Sequence, residues 1–286
     1  MTKDSRRKKH GISKRQYICV VLLMMAVLLV AVAGGCSQKP SEPAVTPTGE
    51  VTPEPTEAVT GTPEPTKVSE PTPEPAVEIS KAQVGDTVQF GSYEQDNDTE
   101  NGAEAIEWLV LDKQDGKLLL LSKYALDSKR YNEDTIDVTW ETCTLRSWLN
   151  DTFYNTAFST AEQEHIAVTK LENEDNPEFG IEGGNDTEDK IFLLSIGEVL
   201  KYFDSDPEAY DRTRCAKITA YAKAQGASSL VDGEAAGNGF WWMRSPGLFS
   251  SYATAVDNYG YAHRTGSSVD TGANVVRPAF WLNLEP

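Results

Sequence analysis

Histidine and cysteine are scarce in this chain, three of one and four of the other in 286 residues, and the shortage withdraws most of the chemistry that rests on them. His10 stands in a basic N-terminal segment, His165 follows Glu164 in a short helical stretch, and His263 falls among turn formers. Neither of the last two has a nucleophile or a metal-ligand partner at a readable spacing. Positive charge is short as well: from Lys81 onward 17 basic side chains face 35 acidic ones, while the first 80 residues balance at nine against nine, so the later part carries the whole net charge of −18. Phosphate recognition needs a basic face, which argues against nucleic acid as a partner. The acids offer many pairs but no spacing that singles out an acid and a base. The sequence therefore names no catalytic residue, and an enzyme is not the expectation.

Charge is missing altogether from Ile18 to Ala33, behind a head in which Lys3, Arg6, Arg7, Lys8, Lys9, Lys14 and Arg15 oppose Asp4 alone. A basic head before an apolar core is the pattern of an export signal. The core is shorter than the roughly 20 residues of a spanning helix, and small residues close it at Ala33-Gly34-Gly35-Cys36. This tetrapeptide resembles the lipobox of bacterial lipoproteins, in which the cysteine thiol takes a diacylglyceryl group and the chain is cut before it. The resemblance implies a signal peptide over 1–35, lipid attachment at Cys36, and a location at the extracytoplasmic face of the cell membrane. Two acyl chains suffice for stable anchoring where one is marginal. An uncleaved signal anchor is the other reading, and it too leaves the remaining chain outside.

Ten of the fifteen prolines lie between Pro40 and Pro75, and Thr-Pro-Glu-Pro recurs at 52–55, 62–65 and 72–75. Units so poor in apolar residues cannot bury a core, so 36–80 is expected as a disordered Pro/Thr/Glu-rich linker. In extended polyproline form, at about 3.1 Å per residue, it would reach on the order of 100 Å.

Residues 81–286 suffice for one domain with a core. Val84 to Gly91 alternates as a strand, and Ile106–Leu111 with Leu118–Ser122 predicts a hairpin across Lys113-Gln114-Asp115-Gly116. Short helices are expected from Thr142 or Thr144, from Ser159 or Thr160 to Ile166, over Ile196–Phe203, and over Ala216–Gln225 before Gly226. Lys190–Ser195 reads as a buried strand, and Gly239–Arg244, Ala253–Asp257 and Val275–Leu284 close the chain as strands. After the N-terminal apolar helix and the linker, the expected class is thus α+β, a mostly antiparallel sheet with short helices.

The closing block, Phe240-Trp241-Trp242-Met243-Arg244-Ser245-Pro246-Gly247 and Val276-Arg277-Pro278-Ala279-Phe280-Trp281-Leu282, resembles an uncharacterised family of bacterial surface domains. Gly91-Ser92-Tyr93, Ile106-Glu107-Trp108 and Leu145-Arg146-Ser147-Trp148-Leu149-Asn150 carry the same resemblance. The arrangement is also similar to C-type-lectin-like domains of the formylglycine-generating-enzyme branch, which implies a lectin-like fold. The enzymes of that branch use a cysteine pair late in the domain, and no cysteine follows Cys215 here. The calcium-dependent sugar motifs of true C-type lectins do not occur either.

Arg244 and Arg277 each precede a turn-forming Ser-Pro or Pro, and a guanidinium with five donors suits the fastening of loop carbonyls. With Trp281 they are expected to be structural. Trp241 and Trp242 should point to opposite faces of a strand, which makes Trp242 a contact candidate. Residues 247–274 lack Lys, Glu, Gln, Met and Trp, where about six would be expected from composition. They are rich in Ser, Thr, Tyr, Asn and Gly, a mixture suited to adaptable recognition and equally to tight hairpins. Phe249, Ser250, Ser251, Tyr252, Asn258, Tyr259, Tyr261, His263 and Arg264 are the candidate ligand-binding positions, for an extracellular glycan or protein. Cys143 and Cys215 either pair as a disulfide, which export permits, or stay free.

No cofactor is expected. Structural calcium is open at two acidic stretches, Asp96–Gly102 and Glu172–Asp189, although the first fails the register of an EF-hand. The functional expectation is a lipid-anchored surface protein presenting a ligand-binding domain. The alternatives are an envelope protein without a ligand and a hydrolase acting on polysaccharide.

Overall fold

A computed structural model describes residues 77–285; the leader, Cys36 and nearly all of the proline-rich linker lie outside the described residues. The first hairpin forms where alternation and turn chemistry predict it. β1 (Thr87–Tyr93) pairs antiparallel with β2 (Glu104–Gln114), which turns into β3 (Lys117–Ser122). Asp115 and Gly116 both take positive φ, 50° and 72°, so the turn twists with its strands. Leu118 to Leu121 are all buried, because β3 is an inner strand of a four-stranded sheet ordered β1, β2, β3, β11, in which β11 is Ala279–Asn283.

A second sheet of five strands takes the order β4 (Asp127–Ser128), β10 (Val275–Val276), β7 (Trp241–Pro246), β8 (Tyr252–Val256), β9 (Ala262–Ser268). All its pairings are antiparallel except β10 with β7. The expected strand Val275–Leu284 is in fact two, one in each sheet, because Pro278 has no N–H for a ladder. A third pair joins β5 (Thr169–Leu171) and β6 (Thr187–Asp189). The domain is α+β and mostly antiparallel.

Helices are short and owe their ends to side chains. In α1 (Thr144–Trp148) the Cys143 sulfur accepts the Arg146 N–H at 3.4 Å. The chain runs on through a π turn at Leu149–Phe153 into α2 (Tyr154–Ala157). Ser159 with Glu162 opens α3 (Thr160–Gln163), and Ser195 with Glu198 opens α4 (Ile196–Tyr202), both as capping boxes. Thr219 caps α5 (Ala220–Ala224). This last helix starts later than its pattern predicts, since Lys217 and Ile218 bridge to Asn238 and Ala125 instead. Lys190–Ser195 is buried as expected from Ile191 to Leu194 but is no strand: Phe192 alone bridges, to Ala279. An apolar run by itself does not distinguish a strand from an extended core segment.

Trp241 and Trp242 are both fully buried, which corrects the reading of Trp242 as a contact residue. β7 is the middle strand of its sheet and is covered on both faces; the indole of Trp241 donates to Arg214 O and that of Trp242 to Lys129 O, each at 2.9 Å. Trp281 is only partly buried and packs against the core from β11.

Arg277 is buried over the Trp241 ring, 5.2 Å from its centroid, with Nε donating to Ser122 O at 2.8 Å and Nη1 to Arg214 O at 3.0 Å. Burial pushes this guanidinium down to about 9, so it stays charged at neutral pH. Arg244 donates to Leu193 O and Glu172 O and pairs with Glu198. The two remaining cysteines are free thiols and not a disulfide: Cys143 is buried as the cap of α1, and Cys215 donates to Asn258 O at 3.3 Å.

A lysine in place of Arg277 cannot reach both carbonyls with a planar fork. Arg277→Lys is expected to lower the free energy of unfolding in urea by about 2–4 kcal/mol.

Candidate functional site

The β8–β9 turn is built around Asp257. Its Oδ1 accepts the N–H of Tyr259 at 2.8 Å and of Tyr261 at 3.0 Å, and its Oδ2 lies 2.9 Å from His263 Nε2. Its own N–H donates to Tyr261 O. Gly260 sits at φ +87°, and a Cβ there would fall 1.9 Å from Asp211 O, so no other residue fits between the turn and the loop 203–214. Arg214 joins the same two segments from beneath: it is fully buried, with Nη1 donating to Gly260 O at 3.0 Å and Nη2 to Asp204 O and Asp206 O.

This bracing presents a set of rings. Tyr259 is 44% exposed and Tyr210, from the facing loop, 42%. Their centroids lie 6.1 Å apart, and Tyr210 is 6.4 Å from Tyr261, which is in turn 6.4 Å from His263. His263 stacks on Phe240 at 6.2 Å. Arg212 lies over the Tyr210 ring at 5.6 Å and pairs with Glu234, while Arg264 pairs with Glu178 at 3.1 Å and reaches Glu208 at 3.6 Å. Tilted aromatic rings with guanidinium and carboxylate groups at the rim can stack on apolar faces and bond hydroxyls or amides at the same time.

The sequence candidates divide between two places. Tyr259, Tyr261, His263 and Arg264 gather here. Asn258 belongs to the same turn but is buried, its amide donating to Asn238 O while its own O accepts from the Asn238 amide and the Cys215 thiol; it fastens the turn and cannot meet a ligand. Phe249, Ser250, Ser251 and Tyr252 lie at the opposite end of β8, on the order of 15–20 Å away at the rise of a strand. There Phe249 is 52% exposed, its ring 5.4 Å from Tyr252, and Ser250 and Ser251 accept main-chain bonds from Val138 and Val269. Tyr210 was missed, because it stands in an aperiodic acidic loop well before the candidate window and only folding brings it to Tyr259.

A shallow groove of about 330 Å³ runs between Arg146, Asn150, Val168 and Lys190. Its polar groups are committed: Arg146 Nε pairs with Asp189 at 2.6 Å, and the Asn150 amide bonds the main chain of Arg146, Lys190 and Ile191. In the acidic stretch Glu172–Asp189, Asp175 takes the Gly183 amide, Asp186 pairs with Lys170, and Asp189 bonds Trp140 and Arg146. Glu94, Asp96 and Glu104 converge at the loop end of the β1–β2 hairpin. Burial pushes the Cys143 thiol up to about 12, and burial with the nearby Asp257 and Asp211 raises that of Cys215, opposite to the activation of a nucleophile.

Residues 115–284 match a family model described as Domain of unknown function (DUF6273). No curated protein and no solved structure matches the chain.

Burial works to raise the Asp257 carboxyl, and the hydrogen bonds from His263 and from the amides of Tyr261 and Tyr259 outweigh it, holding the group below its ordinary value. A lowered carboxyl adds stability that is complete above its unfolded value, about 4, and vanishes as pH falls through its folded value. The loss in urea midpoint caused by Asp257→Asn is therefore expected to be largest above about pH 5 and to shrink toward pH 2.

Proposed function

The chain belongs to the DUF6273 family, and for this member of it we propose a lipid-anchored bacterial surface protein whose folded domain binds an extracellular ligand, glycan or protein, through the tyrosine face of the β8–β9 turn. The observation that carries the reading is the rigid pairing of two exposed rings from distant segments, Tyr210 and Tyr259, over a turn fixed by Asp257, Gly260 and Arg214. A preorganised aromatic surface loses little conformational freedom on binding. Exposed apolar area placed on a braced turn is also more than a loop needs for its own stability.

Anchoring rests on the leader: a basic head, the uncharged stretch Ile18–Ala33 and Ala33-Gly34-Gly35-Cys36. The proline-rich composition of the segment behind it suits a spacer between anchor and domain. The closing antiparallel hairpin of an α+β domain fits the lectin-like resemblance, and a hairpin end is where such a domain would present its ligand.

Two measurements test this. In cells of the native host, Cys36→Ser is expected to move the protein from the membrane to the soluble fraction, and mass spectrometry of the unaltered protein to find acyl chains on Cys36; an unmodified Cys36 ends the anchoring claim. On glycan and protein arrays probed with the full chain, Tyr259→Ala and Tyr261→Ala are each expected to weaken the best signal about tenfold. Silence of the unaltered chain on both arrays would favour an envelope protein without a ligand, and turnover of a polysaccharide would favour the hydrolase.

A further inference from the structure

Taking the tyrosine face as the ligand surface proposed above, we infer that its ligand is a basic segment of polypeptide in extended form, whose Arg or Lys side chains lie on the rings of Tyr210, Tyr259 and Tyr261. The rings of Tyr210 and Tyr259 are tilted by 51° with centroids 6.1 Å apart, and those of Tyr210 and Tyr261 by 44° at 6.4 Å. The face of an aromatic ring carries negative charge density and attracts a cation within about 6 Å of its centroid. A cation above the gap between two of these rings is within that range of both.

The fold already makes one such contact. The Arg212 guanidinium lies over the Tyr210 ring at 5.6 Å while it pairs with Glu234, so a tyrosine and a carboxylate together hold a guanidinium at this place. Among the described residues no Lys or Arg lies over Tyr259 or Tyr261.

Charge selects the sign of the partner. Around the rings Glu178, Glu208, Glu234 and Asp257 stand against Arg212 and Arg264. The side chains of Glu208 and Glu234 are 75% and 70% exposed, and Glu208 reaches Arg264 only at 3.6 Å, so both keep lone pairs for a second donor. Beyond the face, the residues from Lys81 onward carry a net charge of −18. A field of that sign draws a basic partner to the surface and repels an acidic one. A neutral glycan gains nothing from it.

Spacing selects a polypeptide over a small cation. The ring series Tyr259, Tyr210, Tyr261, His263 has successive centroid distances of 6.1, 6.4 and 6.4 Å. In an extended chain side chains point to the same face at every second residue, about 6.4–6.8 Å apart. Cations at alternate positions of such a chain therefore meet successive rings, which a single ammonium cannot do.

Isothermal titration of the full chain with hexaarginine, with hexaglutamate and with the neutral glycan maltohexaose tests this. Hexaarginine is expected to bind and to weaken several-fold between about 50 and 300 mM NaCl, and hexaglutamate not to bind. Tyr259→Ala and Tyr210→Ala, which leave the charge unchanged, should each weaken hexaarginine about tenfold. Glu208→Gln should weaken it several-fold, whereas Glu100→Gln, the same loss of charge on the exposed β1–β2 loop, should leave it within about twofold. No binding of hexaarginine up to about 1 mM, binding undiminished in both tyrosine variants, or an equal loss in Glu100→Gln and Glu208→Gln would overturn the inference. Maltohexaose bound in a manner lost in Tyr259→Ala would also overturn it while leaving the tyrosine face as the ligand surface.

Discussion

Arg277 and Arg214 are buried with their guanidinium groups turned on main-chain carbonyls, and much of the domain is held by that choice. The carbonyl of Arg214 accepts from both Arg277 Nη1 and the Trp241 indole, so one peptide unit joins the closing strands to the loop before α5. The need follows from the element lengths. Helices of four to seven residues and strands as short as two leave long irregular stretches whose carbonyls have no ladder to join, and a buried carbonyl left alone is costly. A guanidinium presents five donors in one plane and serves several such carbonyls at once. Arg244 does the same for Leu193 and Glu172, with Glu198 balancing its charge from the first turn of α4.

The ligand face is a product of the same device. Gly260 can approach Asp211 because it has no Cβ, and Arg214 then bonds Gly260 O from below while holding Asp204 O and Asp206 O. The loop that bears Tyr210 and the turn that bears Tyr259 are thereby one unit, although distant in sequence. Asp257 completes it from within the turn by accepting two amides and the His263 ring.

What could be read in the sequence was what is decided locally. Asp115-Gly116 specifies its hairpin turn, and Ser159 with Glu162 and Ser195 with Glu198 specify two helix starts, because each device spans four residues or fewer. Pro278 carries a local signal of the same kind, since a residue without an N–H breaks the last strand in two. Trp242 was beyond reach: alternation on a strand says that neighbouring side chains face opposite ways, not that one way is water, and β7 has protein on both faces. Asn258 and Tyr259 are adjacent in a turn of one composition. Yet one amide bonds Asn238 across the core while the other side chain faces solvent. A small polar residue in a turn looks the same in sequence whether it meets a ligand or a neighbouring backbone. Tyr210 shows the converse, a site residue that only tertiary contact reveals.

The acid excess obeys a similar logic of partners. Buried carboxylates in this domain meet donors: Asp127 takes the Tyr93 hydroxyl at 2.7 Å, and Asp189 takes the Trp140 indole and the Arg146 guanidinium; the half-buried Glu198 takes Arg244. Where burial dominates, as at Asp127, the carboxyl is raised despite its donor. At Asp257 the balance falls the other way: burial is opposed by the His263 ring and by the amides of Tyr261 and Tyr259, and together these hold the carboxyl below its ordinary value.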